Sequence, residues 1–166
     1  MASVTEKSAQ SNLSKKVVGL LVAVAVAVAA TFWLTQPAAV TSSFTPLSGL
    51  MTLKSTATEA VPYEVAIANP QPTLIEFYAD WCTTCQSMSP TIAALHQQYG
   101  DQVNFVMLDI DDPQWAGPIA TYGASSVPQF TLLDGADHPI DTLVGKIPKP
   151  IFQDLFAQVL APTPTP

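Results

Sequence analysis

Apolar positions fall along this chain in three regimes, and each predicts a different kind of structure. The first is an unbroken block, Val17 to Leu34 (VVGLLVAVAVAVAATFWL), eighteen residues with no charge and with Thr31 as the one markedly polar member. That is about the minimum length for a helix crossing the hydrocarbon core of a bilayer, and a buried soluble helix would show a polar face. The Val-Ala alternation of residues 22–29 has the period of a strand, but an open strand in lipid leaves its backbone unsatisfied, so the block predicts a transmembrane helix over 17–34. The second regime is sparse. Residues 35–60, rich in Thr, Ser, Pro and Ala, predict a linker, with Leu47 to Leu53 as a candidate edge strand. Residues 1–16 are polar, lack apolar periodicity, and predict a disordered segment.

The third regime, residues 61–160, alternates runs of strand and helix length and predicts one domain, followed by a frayed tail over 161–166. Val61 to Ala68 predicts a short helix closed by Asn69-Pro70. Thr73 to Tyr78 (TLIEFY) is an apolar run broken by one carboxylate, Glu76, as expected of a central strand covered on both faces. Gln86 to Tyr99 has a helix period through Met88, Ile92, Ala93, Leu95 and Tyr99; Pro90 is expected to kink it and Gly100 to end it. Val103 to Ile110 predicts a second central strand, and Asp111-Asp112-Pro113 the start of a helix through Trp115, Ile119 and Tyr122. Gln129 to Leu133 and Ile140 to Val144, joined through Asp134-Gly135, predict an antiparallel hairpin. Ile151, Leu155, Phe156, Val159 and Leu160 mark one face of a last helix. The order βαβα then ββα predicts an α/β domain with a mixed central sheet and helices on both faces, preceded by one transmembrane helix.

Charge adds an orientation. All six basic residues are lysines; Lys7, Lys15 and Lys16 precede the apolar block, and none follows it until Lys54. That asymmetry predicts a cytoplasmic N-terminus and a domain across the membrane, with Trp33 at the interface. A cleaved signal peptide is the alternative, but Gln36-Pro37-Ala38-Ala39 makes a poor cleavage site. From residue 35 onward twelve acidic residues stand against three lysines, a formal charge of −9, which argues against nucleic acid as a partner.

Both cysteines of the chain, Cys82 and Cys85, lie between the first central strand and its helix. Two thiols three positions apart share one helical turn, and a thiol at a helix N-terminus gains thiolate character, so Cys82 is the expected nucleophile and Cys85 the shielded resolving thiol. A ring so small removes little chain entropy, which argues against a structural staple. His96 alone lies near enough to join them, which is no zinc set, and the Asp109, Asp111 and Asp112 group lacks calcium-loop spacing; neither metal nor cofactor is expected. His96 and His138 read as surface residues, Trp115 and Phe130 as packing, and Asp80 either tunes the thiolate or is merely solvated.

The run EFYADWCTTCQSMSP, the later SSVPQF and the order of elements resemble the thioredoxin family over about Val61 to Leu160. The resemblance implies a thioredoxin fold, a cis-proline at Pro128 after Val127, a buried proton-relaying carboxylate at Glu76, Trp81 and Val127 as substrate-binding neighbours of the dithiol, and Gly145 as the glycine after the last strand. Thr83-Thr84 in place of Gly-Pro, Glu76 for the usual Asp, and Met107 where a lysine is expected depart from general thioredoxins and argue against a thioredoxin-reductase partner. With its anchor, the chain is most similar to the membrane-tethered thioredoxin-like proteins of cyanobacteria and chloroplast thylakoids. What this implies is reduction of disulfide-containing proteins, apocytochromes among them, in the thylakoid lumen or periplasm, with a polytopic membrane thiol carrier as electron donor. The alternatives are an oxidase or isomerase with the same residues, and a redox-inactive binding module for an assembly factor.

Overall fold

The computed structural model of the chain describes residues 46–161. The predicted N-terminal segment, transmembrane helix, first part of the linker and most of the tail lie outside the described residues. Among the described residues no helix is long and apolar enough to cross a membrane.

The described residues form five helices and four strands: α1 (Pro46–Glu59), α2 (Tyr63–Ala66), β1 (Thr73–Tyr78), α3 (Thr83–Tyr99), β2 (Asn104–Asp109), a 3₁₀ turn over Pro113–Trp115, α4 (Ala116–Thr121), β3 (Gln129–Leu133), β4 (Pro139–Val144) and α5 (Lys149–Val159). The sheet runs β2-β1-β3-β4; β1 pairs parallel with β2 and antiparallel with β3, and β3 antiparallel with β4. The mixed sheet expected from the order of elements is therefore found, with β1 at its centre and buried at all six positions.

Alternation along β1 divides the core. Leu74 joins Phe105, Phe130 and Leu132 against Met88, Ile92 and Leu95 of α3 and Phe152 and Phe156 of α5. Ile75 and Phe77 point the other way and join Val106, Leu108 and Leu133 beneath Ala66 of α2, with Trp115, Ile119 and Tyr122 packed alongside. Glu76 shares the parity of Leu74, so it lies on the face that α3 covers, opposite Met107 on β2 and Phe130 on β3.

Two local expectations are corrected. Leu47 to Leu53 is not an edge strand but part of α1, and α1 occupies most of the second half of the predicted linker. Its buried positions Gly49, Leu53 and Thr56 follow a helical spacing, and the Ser89 hydroxyl of α3 donates to the Gly49 carbonyl at 3.2 Å. On α5 the buried face is built by Phe152 and Phe156, while Ile151 is exposed. In the hairpin loop Asp137 holds φ +62°, and the Asp134 carboxylate accepts from the amides of Ala136 and His138 and organises the turn. Pro90 lies inside α3, which continues through it to Tyr99 as the apolar period requires.

Candidate active site

The site is built at the C-terminal end of β1. The chain leaves the strand at Tyr78, the Cys82 amide donates to the Ala79 carbonyl at 3.1 Å, and Cys82 becomes the N-cap of α3. Its extended backbone leaves the sulfur over the first turn, where it accepts the Cys85 amide at 3.0 Å. That is the geometry expected for a nucleophile in the field of a helix N-terminus. Cys82 and Cys85 are joined as a disulfide with Cα atoms 5.3 Å apart. Cys85 has no solvent exposure and Cys82 is 5% exposed.

Glu76 sits inside the domain, 1% exposed, with neither carboxyl oxygen bonded to a hydrogen-bond partner among the described residues. Burial alone raises its pKa from the ordinary 4.5 to about 8, because a charge there loses its hydration without gaining a partner. Met107 sits beside it in register, where a lysine would have supplied a cation. The Tyr78 hydroxyl is likewise pushed up to about 12, by burial first and then by Asp109, Asp80, Glu76 and Asp112.

The peptide bond between Val127 and Pro128 is cis, Pro128 is buried, and its carbonyl accepts the Gly145 amide at 2.8 Å. Gly145 holds φ +89°, a conformation that favours glycine. Val127 packs on the cluster formed by Leu53, Tyr78, Ala79, Cys82 and Cys85, so this loop meets the disulfide. Trp81 is 64% exposed, and its indole Nε1 donates to the Asp111 carboxylate at 2.8 Å. An exposed tryptophan ring fixed at its polar end suits a contact surface. Structure thus brings Trp81, Cys82, Cys85 and Val127 together at one end of the sheet; Glu76 lies within it, on the α3 side.

Several contributors escaped the sequence reading. Leu53 and Ala57 of α1 pack on the cysteine cluster. Lys54 of the same helix pairs with Asp80 at 2.5 Å, so Asp80 is neither freely solvated nor isolated. Gln86 Nε2 donates to the Asp80 carbonyl at 2.7 Å, bracing the loop before the cysteines. The signal for α1 was present in Pro46 as a helix opener and in the 49, 53, 56 spacing. Of the remaining polar candidates, Asp109 accepts the Asp111 amide and Asp112 the Gln114 amide, both at 3.0 Å, as strand-end and helix-cap roles require. His96 is partly buried and stacks on Phe105 with ring centroids 5.0 Å apart, and exposed His138 pairs with Asp134 at 3.3 Å. Phe130 is core, and Trp115 packs at the edge of the second cluster.

Comparison with known proteins places this geometry in context. The thioredoxin family model matches residues 53–158. The thiol:disulfide interchange protein TxlA of Synechococcus elongatus is 43% identical over 119 residues, covering 72% of this chain and 62% of the relative. The chloroplastic thioredoxin-like protein HCF164 of Oryza sativa subsp. japonica is 39% identical over 117 residues, covering 70% of this chain and 45% of the relative. The chain therefore spans about half to three fifths of the length of these two curated relatives. Among solved structures, a mutant thioredoxin from Halobacterium salinarum superimposes with a TM-score of 0.53 at 24% identity, covering 63% of this chain and 90% of that one, a likeness of fold.

Proposed function

The chain belongs to the thioredoxin family, and from that premise we propose that it is a membrane-anchored protein-disulfide oxidoreductase that reduces disulfides of exported proteins. The observation that carries the reading is the placement of Cys82 as N-cap of α3, accepting the Cys85 amide, with Cys85 fully buried behind it. A thiol at a helix N-terminus backed by a fully buried one is the arrangement that dithiol exchange requires.

In the reduced pair the Cys82 thiolate attacks one sulfur of a substrate disulfide. The Cys82–substrate bond forms, the substrate S–S bond breaks, and the leaving thiolate takes a proton from water. Glu76 as a carboxylate accepts the Cys85 thiol proton, a role suited to a group whose pKa lies near 8. The Cys85 thiolate then attacks the Cys82 sulfur, closing the internal disulfide and expelling the second substrate thiolate, which is protonated. Two electrons and two protons have passed to the substrate. Trp81, Val127 and Pro128 frame the exposed side and hold the substrate segment. The pair is returned to the dithiol by a second exchange, in which a polytopic membrane thiol carrier gives up two electrons and becomes oxidised.

The anchor is the apolar block over 17–34, and the lysines before it support a cytoplasmic N-terminus with the domain in the thylakoid lumen or periplasm. The cyanobacterial and chloroplastic relatives accord with that assignment, and apocytochromes are the substrate class we propose. The linker ends before α1, since that helix packs on the cysteine cluster and so belongs with the domain.

Cys85→Ser expressed in a cyanobacterium tests the reading, because it should trap exported proteins on Cys82 in dithiothreitol-sensitive adducts, on the side of the membrane where an impermeant thiol reagent finds Cys82. No adduct, together with no insulin reduction by the wild-type protein, sinks the enzyme; labelling of Cys82 from the cytoplasmic face sinks the orientation.

A further inference from the structure

Carboxylates lie on and beside the loop that presents Cys82. Asp80 lies two residues before it, Asp111 holds the neighbouring Trp81 ring, and Asp109 accepts the Asp111 amide. The Tyr78 hydroxyl, at the strand end that leads into the loop, registers the combined field of Asp109, Asp80, Glu76 and Asp112 on top of its burial. A carboxylate two residues from Cys82 opposes ionisation of its thiol, so Asp80 works against the helix N-terminus.

A cation enters this region from α1. Lys54 Nζ meets Asp80 Oδ2 at 2.5 Å, and among the described residues this is the one ion pair that a lysine makes. The other oxygen, Asp80 Oδ1, is buried without a hydrogen-bond partner, which leaves part of this charge poorly screened by water. Both side chains are themselves about half exposed, 52% and 42%, and pairs of that kind contribute little to stability. What the pair changes is the charge two residues before Cys82: with Lys54 in place, on a helix whose Leu53 and Ala57 pack on the cysteine cluster, Asp80 is one end of a neutral pair, and without it a bare anion.

We propose that Lys54 is a positioning residue of the redox centre, a cation that offsets Asp80 and so sustains the nucleophilicity of Cys82. The inference rests on the reading of Cys82 as the attacking thiol. It assigns α1 a second task beside packing, since the helix that follows the linker carries a determinant of thiol reactivity.

Opposite signs are what separate this from a purely structural role. In the full-length reduced protein in detergent, at pH 7 and low salt, the rate of iodoacetamide modification at Cys82 is followed by peptide mass spectrometry. Lys54→Met should slow modification and Asp80→Asn should speed it, each by roughly two- to threefold, the effect of one unit charge several Å away across a largely aqueous dielectric. The double variant should return close to wild type, Lys54→Arg should match wild type, and about 0.5 M salt should shrink the differences. If both single variants shift the rate in the same direction, the pair only braces the loop and the proposal is overturned; it is overturned equally if neither shifts it. Should Lys54→Met fail to fold by circular dichroism, the Asp80→Asn arm decides alone, with an unchanged or slower rate as the refuting result. Alkylation reads the sulfur with no substrate present, so loss of insulin reduction in the wild type would defeat the proposed function without touching this result.

Discussion

A single carboxyl, Glu76, carries the clearest physical prediction at the scale of a residue. Its pKa is raised to about 8 by burial, while the unfolded chain titrates near 4.5. Below 4.5 both states hold the proton and the folded state is fully favoured. Between 4.5 and about 8 the unfolded chain releases its proton and the folded one keeps it, so the unfolding free energy falls with rising pH, and above that window the slope vanishes. The total is on the order of a few kcal/mol, since a tenfold difference in proton affinity between the two states is worth about 1.4 kcal/mol. Glu76→Gln should therefore flatten the decline of urea-unfolding stability of the oxidised protein between about pH 5 and 8.5. An undiminished slope in the variant would mean that another group carries it. Glu76 was legible in the sequence as a lone carboxylate in an apolar run, because strand length and hydrophobicity forced it inside. The resemblance already put Met107 where a lysine is expected; Phe130 on its other side was not legible, because it follows from register, a property of pairing.

At the scale of the element, α1 is the part that the sequence concealed. Strands β1 and β3 could be read to their ends because β-rich apolar runs between turn residues leave few choices, whereas LSGLMTL offers both a period of two and a period of three to four. Tertiary packing decides: Leu53 has no exposure and lies on the cysteine cluster, Thr56 is buried behind it, and Gly49 lets α3 approach closely enough for the Ser89 bond. A strand over 47–53 would have turned alternate residues, and with them half of this face, away from the domain. Leu53→Ala should cost about 2–4 kcal/mol, the usual range for emptying a filled core position. Because the vacated volume adjoins Cys85, the variant should also expose that thiol: in the reduced protein, the modification rate of Cys85 should rise more than that of Cys82. A loss below ~1 kcal/mol by urea denaturation would show that α1 rests on the domain without being part of its core. Phe152 was overlooked for a related reason, since the α5 stripe admits either 151/155 or 152/156 as its centre, and only the aromatic contact with Phe130 at 5.0 Å selects the second.

For the molecule as a whole, charge is the feature that composition states and the fold makes useful. All twelve acidic residues beyond residue 35 begin at Glu59, and Asp80, Asp109, Asp111 and Asp112 lie near the end of the sheet where Trp81 is exposed. A cleft or rim of one sign raises the encounter rate with partners of the other sign and is screened by salt. Reduction of a basic disulfide substrate should therefore slow as ionic strength rises from about 0.01 M to 0.15 M, over which the Debye length contracts from roughly 30 to 8 Å. An acidic substrate should speed up over the same range, and kcat should stay constant for both, because steering acts on encounter and leaves the exchange between sulfurs unchanged. The measurement is kcat/KM for two fluorescently labelled disulfide peptides that differ only in net charge, with Asp111→Asn as the variant that removes one rim charge. Parallel salt curves for the two peptides would refute steering and leave the acidic surface with solubility as its consequence. Divergent curves that converge in the variant would make electrostatics, together with the apolar contact at Trp81, part of how this site selects a cysteine pair.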